Sequence, residues 1–253
     1  SQRVFHSNRL CVRRRGRELM GYYYGFDPTY LLVLIGAGLC MLASFGVQST
    51  YRKYAKIRSM CGMTGAQVAK RILDQNHVTD VQIRHVPGNL TDHFDPGSKT
   101  VNLSDAVYDQ TSVAALGVAA HECGHVMQHE TGYIPLKIRA ALVPAANFGS
   151  NLGLPMVFIG LLLGSGVLGQ TLTSLGIWIF VFAVLFQVVT LPVELDASHR
   201  ALRMLGDYGI LGSDEKQMAR SVLFAAAMTY VAAAVSSVLQ LLRLLALANR
   251  RRN

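Results

Sequence analysis

His121, Glu122 and His125 form a His-Glu-x-x-His segment, with Cys123 and Gly124 between the glutamate and the second histidine. On a helix, residues four apart project from one face, so two imidazoles at this spacing can reach one metal ion while the carboxylate lies beside them. In sites of this kind the histidines bind Zn²⁺. The glutamate takes a proton from a water that the cation has acidified, and the water attacks a carbonyl polarised by the metal. Gly124 has no side chain and lets a strand or a substrate approach the motif closely.

A catalytic zinc takes three protein ligands and leaves the fourth position to solvent, so one ligand is still needed. Glu18 stands in an arginine-rich leader, Glu130 lies on a different helix face from His125, and Glu215 sits in a polar turn. Glu194 remains. It follows an apolar run in Leu191-Pro-Val-Glu-Leu-Asp-Ala-Ser-His199, where an ionised carboxylate beside a bilayer is costly unless it is paired or bound to a metal. The competing reading is that Glu194 only marks the water interface. His129 continues the four-residue series and is a rival ligand, although each such step rises about 6 Å along the axis and carries a third histidine away from a shared ion. Gln128 and Thr131 stand where a long metzincin pattern needs glycine and histidine.

Other polar residues are candidates for supporting roles. His93, in Leu90-Thr-Asp-His-Phe-Asp-Pro96, is expected in a loop, either donating to a developing oxyanion or without a role. Asp196, Ser198 and His199 are close enough to Glu194 in sequence to orient it or a histidine ligand. A short strand at residues 100–103 is expected either to pair with an extended substrate or to be internal to a sheet.

The elements that must hold these residues are legible from patterning. Val113, Leu116 and Val118 follow a helical spacing after Thr111 or Ser112, either of which can cap, so the histidine motif is expected on a helix over about residues 112–131. Thr64-Gly-Ala-Gln67 has the form of a capping box and opens a helix ending near Asn76. Residues 81–86 and 100–103 alternate apolar with polar and are bounded by turn residues, which predicts two short strands.

With 51% hydrophobic and 15% charged residues, the chain fits a membrane protein better than a soluble globule. The first apolar run, residues 29–49, is long enough to span. Residues 142–193 read as a transmembrane hairpin, residues 194–220 as a helix and turn carrying the third ligand, and residues 221–247 as a fourth, weaker apolar helix. Residues 50–140 form the polar part, near the lower limit for an independent core, and are expected to lean on the membrane helices. The fold class is therefore mainly α with a small β-sheet, in a polytopic protein with three or four transmembrane helices. Arg52, Lys53, Lys56, Arg58, Lys137, Arg139, Arg200 and Arg203 flank the spans on the side of residues 50–140 and place it in the cytoplasm by the positive-inside rule. Arg250, Arg251 and Arg252 oppose this if the fourth helix crosses.

The net charge of +9 is concentrated at the termini. Arg3, Arg9, Arg13, Arg14, Arg15 and Arg17 fall within residues 1–19, read as a non-native or unstructured leader. No basic stripe interleaved with aromatics remains, which argues against nucleic acid as a partner. Cys11, Cys40, Cys61 and Cys123 form no C-x-x-C pair and read as free thiols.

Taken together, these segments resemble the YugP-like family of neutral zinc metallopeptidases, small polytopic bacterial membrane proteins, over residues 22–245. The resemblance rests on Tyr51-Arg-Lys-Tyr-Ala-Lys56, Leu90-Thr-Asp-His-Phe-Asp-Pro96, Ala119-Ala-His-Glu-Cys-Gly-His125, Leu191-Pro-Val-Glu-Leu-Asp-Ala-Ser-His-Arg200 and Ala225-Ala-Ala-Met-Thr-Tyr-Val-Ala232. It implies a gluzincin-like zinc protease domain with His121, His125 and Glu194 as ligands and Glu122 as base. More distantly the chain is similar to the HtpX and CAAX-protease membrane enzymes, where an aspartate four residues after the glutamate ligand supports a histidine. Ser198 occupies that position here, leaving Asp196 or Asp105 as substitutes. The implied activity is zinc-dependent endopeptidase action at the cytoplasmic face of the bacterial inner membrane. The substrates would be membrane-associated or misfolded proteins and peptides. The alternative is a zinc-binding membrane sensor or scaffold without hydrolytic activity. A transporter ranks last because the hairpin is almost devoid of ionisable groups.

Overall fold

The computed structural model describes residues 27–164 and 166–250. The leader at residues 1–19, including Cys11, lies outside the described residues. The helices are α1 (Tyr30–Tyr54), α2 (Gly65–Gln75), α3 (Val113–Glu130), α4 (Ile134–Phe148), α5 (Leu154–Leu162), α6 (Val167–Asp207) and α7 (Ser213–Arg250). A π-helical stretch, Gly149–Gly153, joins α4 to α5. The strands are β1 (Gln82–Val86), β2 (His93–Asp95) and β3 (Thr100–Ser104).

Local chemistry sets the boundaries of the polar elements. Thr64 Oγ1 accepts from Gln67 N at 3.3 Å and Gln67 Oε1 accepts from Thr64 N at 2.9 Å, the reciprocal pair of a capping box at the start of α2. Ser112, not Thr111, caps α3, its hydroxyl accepting from Ala115 N at 3.2 Å. Between β2 and β3, Asp95 accepts from Gly97 N at 2.8 Å and from Ser98 Oγ at 2.6 Å, closing the turn.

The sheet order is β1-β3-β2, with β1 parallel and β2 antiparallel to β3. This resolves the role of residues 100–103. β3 is the central strand and is buried along its length, so its backbone is paired on both sides and cannot receive a substrate. β2 was not anticipated. It contains only His93, Phe94 and Asp95, and it forms one edge of the sheet.

One apolar core joins the sheet to the helices. Val68, Ile72 and Leu73 of α2, Val101 and Leu103 of β3 and Leu116, Ala120 and Cys123 of α3 pack with Ala201 and Leu205 of α6 and Leu223 of α7. The last three come from the long helices, so the polar part of the chain completes its core against them. Burying each such Leu or Val side chain contributes about 1.5–3 kcal/mol.

Among the described residues, four helices are long and apolar enough to cross a bilayer: Tyr30–Tyr54, Ile134–Leu162, Val167–Asp207 and Ser213–Arg250. Leu34, Met41, Leu42 and Phe45 of α1 are exposed, as lipid-facing side chains of a spanning helix are. The protein is thus mainly α-helical, polytopic and equipped with a small sheet. α1 and α7 lie antiparallel. Arg250 Nη1 meets Asp27 Oδ1 at 2.9 Å at one end, and Arg243 lies 4.1 Å over the Tyr30 ring nearby. At the other end of α1, the Tyr51 hydroxyl donates to Ala106 O at 2.7 Å.

The expected break between a hairpin ending at 193 and a separate ligand helix is absent. α6 runs unbroken through Pro192 to Asp207. Proline lacks the N–H for one i→i−4 bond and bends a helix there, but the flanking turns continue. The fourth apolar helix likewise begins earlier than expected, at Ser213.

Candidate metal centre

α3 and α6 cross at Gly124. A Cβ at this position would sit 2.4 Å from Ala197 O, so the absent side chain lets the two helix backbones touch. The close approach serves a neighbouring helix rather than a strand. It brings Glu194 of α6 opposite His121 and His125 of α3.

The three side chains converge. Glu194 Oε2 lies 3.2 Å from His121 Nε2 and 3.6 Å from His125 Nε2. One ligand atom from each of the three residues falls within 4.8 Å of the other two. Zinc bonds of about 2.0–2.1 Å in tetrahedral geometry place ligand atoms roughly 3.3–3.4 Å apart, close to the two distances from Glu194 Oε2. Glu194 is only 3% exposed, which rules out a mere marker of the water interface. His129 is not in the cluster. It stands edge-on to Phe94 with ring centroids 5.8 Å apart, and its Nδ1 lies 3.6 Å from Glu130.

Hydrogen bonds set which ring nitrogen each histidine presents. The amide nitrogen of Gln128 donates to Val193 O at 2.7 Å and to Asp196 Oδ2 at 2.9 Å, which fixes the amide's orientation. Its Oε1 therefore accepts from His125 Nδ1 at 3.0 Å, leaving the His125 Nε2 lone pair free. Arg200 Nε donates to Asp196 Oδ2 at 2.7 Å and completes the chain of contacts. For His121, Ser198 Oγ lies 3.1 Å from Nδ1 and plays the corresponding part. Asp196 is engaged with Gln128 and Arg200 and does not take this place. Asp105 is elsewhere, paired with His85 at 2.7 Å, and His199 is exposed on the outer face of α6.

Glu122 is 6% exposed at the metal site, and burial pushes its carboxyl above the ordinary value. Burial alone would lower the His125 pKa, but the hydrogen bond that the protonated ring donates to Glu194 and the charges of Glu122 and Glu194 outweigh it and raise the value. Burial also pushes the Cys123 thiol up. Its Sγ points into the core, where it donates to Ala69 O at 3.8 Å, away from the triad.

A cleft of about 580 Å³ opens over the triad. β2 forms one wall through His93 and Phe94, α4 another through Leu136, Lys137 and Arg139, and Tyr230 of α7 reaches its floor. His93 Nδ1 donates to Thr91 O at 2.9 Å and its Nε2 faces Asn102 Nδ2, a donor, at 3.2 Å. Nδ1 is thereby tied to the backbone, and Nε2 turns towards β3. Sequence reasoning missed Arg139 as a site residue. It sits on the neighbouring helix and donates from Nη1 to Glu194 Oε1 at 3.1 Å. It also missed Gln128 and Tyr230. The latter lies inside the Ala225-Ala-Ala-Met-Thr-Tyr segment, where its polar tip among alanines was the available signal.

The profile of the family described as "Putative neutral zinc metallopeptidase" matches residues 29–249. The chain belongs to this family. It is also similar to the protein named "Putative membrane protease YugP" of Bacillus subtilis (strain 168), with 44% identity over 213 residues, 84% of this chain and 92% of that protein. No solved structure matches the chain. Membership of a zinc metallopeptidase family agrees with the donor chemistry of the site, where two imidazoles and a carboxylate suit Zn²⁺ and leave a position open.

Proposed function

We propose that this chain is a zinc-dependent endopeptidase with a gluzincin-type site, acting at the cytoplasmic face of the bacterial inner membrane. Its substrates are membrane-associated or misfolded proteins and peptides. The observation that carries the reading is the convergence of His121, His125 and Glu194 beside the buried Glu122, on the floor of an open cleft.

His121 Nε2, His125 Nε2 and Glu194 Oε2 would hold the ion. Zinc, when bound, polarises a peptide carbonyl and acidifies water. Glu122 acts as general base. Its raised pKa brings it closer to neutrality, where a base both accepts a proton and returns it, here to the departing amine nitrogen. Tyr230 lines the cleft with the triad, its hydroxyl hydrogen-bonded to Glu194. The edge of β2 facing the cleft supplies backbone groups with which an extended substrate can pair.

Two features support the cytoplasmic orientation. Arg52 and Lys53 end α1, and Lys137, Arg139, Arg200 and Arg203 surround the same end of the bundle. At the opposite end Arg250 is matched by Asp27, which offsets part of the charge that argued for the reverse.

The test is purified Glu122→Gln in detergent. It should retain one zinc per chain and lose peptide cleavage by at least about 10²-fold. Cleavage equal to wild type would remove Glu122 from the mechanism. Stoichiometric zinc in a wild-type protein that cuts no peptide would favour the sensor or scaffold instead.

A further inference from the structure

A second cavity, of about 240 Å³, adjoins the cleft. Asp92, His121, Glu122, Glu194 and Tyr230 line both, so the two spaces meet at the metal centre. Its remaining wall is of a different character. Val47 of α1, Val118 of α3 and Leu223, Ala226 and Ala227 of α7 surround it. Its two other polar residues are already engaged: Thr229 Oγ1 donates to Ala226 O at 2.6 Å and Ser198 Oγ bonds His121. Away from the catalytic groups, nothing in the wall calls for a polar occupant.

The size is informative. Pockets for whole small molecules span roughly 300–1,000 Å³, whereas this one takes a single large side chain. Two alanines create the space, since any longer residue at 226 or 227 would extend into it. Leu90 also lines the cavity, its side chain 46% exposed and its backbone at φ 57°. A left-handed leucine is strained, and such strain is retained where surrounding structure enforces it for a purpose.

We propose that this cavity is a specificity pocket receiving one large apolar side chain, Leu, Ile, Met or Phe, from the residue adjoining the cleaved bond. The inference rests on the peptidase reading and deepens it. An extended chain paired along β2 turns alternate side chains to one face, and the one beside the metal enters the pocket between α1 and α7. Because both helices are membrane spans, the pocket selects the kind of residue found where a chain leaves a bilayer.

The test uses full-length zinc-loaded protein in nanodiscs and a mixed peptide library read by mass spectrometry. Large apolar residues should be enriched at one position next to the cut. Matched peptides with Leu or Ala at that position then compare wild type with Ala226→Leu. Cleavage of the Leu peptide should fall at least about tenfold while the Ala peptide changes little. A second readout avoids turnover: the affinity of labelled Leu peptide for Glu122→Gln should fall comparably in Glu122→Gln/Ala226→Leu. If Ala226→Leu fails to fold, Ala226→Gly, which only removes a methyl, should shift preference towards larger residues. An unchanged Leu-to-Ala ratio in the variants overturns the pocket and leaves the peptidase standing. Leu-selective binding without any wild-type cleavage overturns the peptidase and keeps the pocket as a binding site. Absence of both overturns both.

Discussion

Arg139 and the two histidines divide the carboxylate of Glu194 between them. Arg139 Nη1 holds Oε1 at 3.1 Å, and Oε2 faces His121 Nε2 at 3.2 Å and His125 Nε2 at 3.6 Å. A buried carboxylate is thus anchored through one oxygen and aimed through the other. Arg139→Ala should weaken zinc binding about 10–100-fold, the usual cost of losing a group that orients a ligand. Arg139→Lys should recover only part, because an ammonium lacks the planar fork. Competition with a fluorescent chelator measures this, and unchanged affinity in Arg139→Ala would show that Glu194 needs no such anchor.

Gly124→Ala should destabilise the protein by about 1–3 kcal/mol, the range for forcing a methyl into packed structure. The added Cβ would lie 2.4 Å from Ala197 O, so α6 must shift and draw Glu194 away from the histidines. Zinc retention should fall with stability. Gly117→Ala on the same helix is the control, since its Cβ would sit 3.4 Å from the Ala219 Cβ and no nearer anything else. Equal losses from the two substitutions would contradict the account.

Chelation should leave the helical fold intact at 25 °C, because Arg139 still pairs with Glu194 and the core does not depend on the ion. Thermal stability should drop, then recover with added zinc by RT ln(1 + [Zn]/Kd), about 2.7 kcal/mol at a hundredfold excess over Kd. Circular dichroism with and without chelator checks both parts. Collapse of the helical signal at 25 °C would mean that zinc is structural.

Asp105 should act as an acid-sensitive latch on the loop before β2. Its Oδ2 accepts from Gly88 N at 2.8 Å and its Oδ1 pairs with His85 at 2.7 Å. The Gly88 bond chiefly, with His85 after it, holds the carboxyl below its ordinary value. The folded pKa is therefore below the unfolded value of about 3.9. The stabilisation is complete above that pH and is lost as pH falls through the folded pKa. Protection of the Gly88 amide from exchange, corrected for intrinsic rate, should be flat from neutrality to about pH 4 and fall below it. Asp105→Ala should lower protection throughout and abolish the acid step.

Much of this architecture was legible because it is local. A capping box, a capped helix carrying two histidines and a long apolar run each state their structure within a few residues, as Thr64, Ser112 and residues 29–49 did. Glu194 was reached by elimination and by the price of leaving a carboxylate unpaired beside a bilayer. What escaped was either too short or too distant. Three residues, His93, Phe94 and Asp95, cannot display an alternation. The end of the apolar run at 193 read as the end of a span, whereas here the helix continues past it to Asp207. Arg139, Gln128 and Tyr230 act through space across helix pairs, and no periodicity along the chain announces such contacts. Gly124 was recognised as a point of close approach, but its partner, the backbone of Ala197, was hidden by the 72 residues between them.

The unbroken course of α6 has one more consequence. From Val167 to Glu194 the rod rises about 40 Å, so the residue facing the histidines and the stretch that crosses the bilayer are one piece of backbone. A chain severed before Val167 would keep both imidazoles and Glu122 but forfeit the carboxylate. Such a protein cannot be shed from its membrane in working form, and its activity is confined to whatever reaches it there.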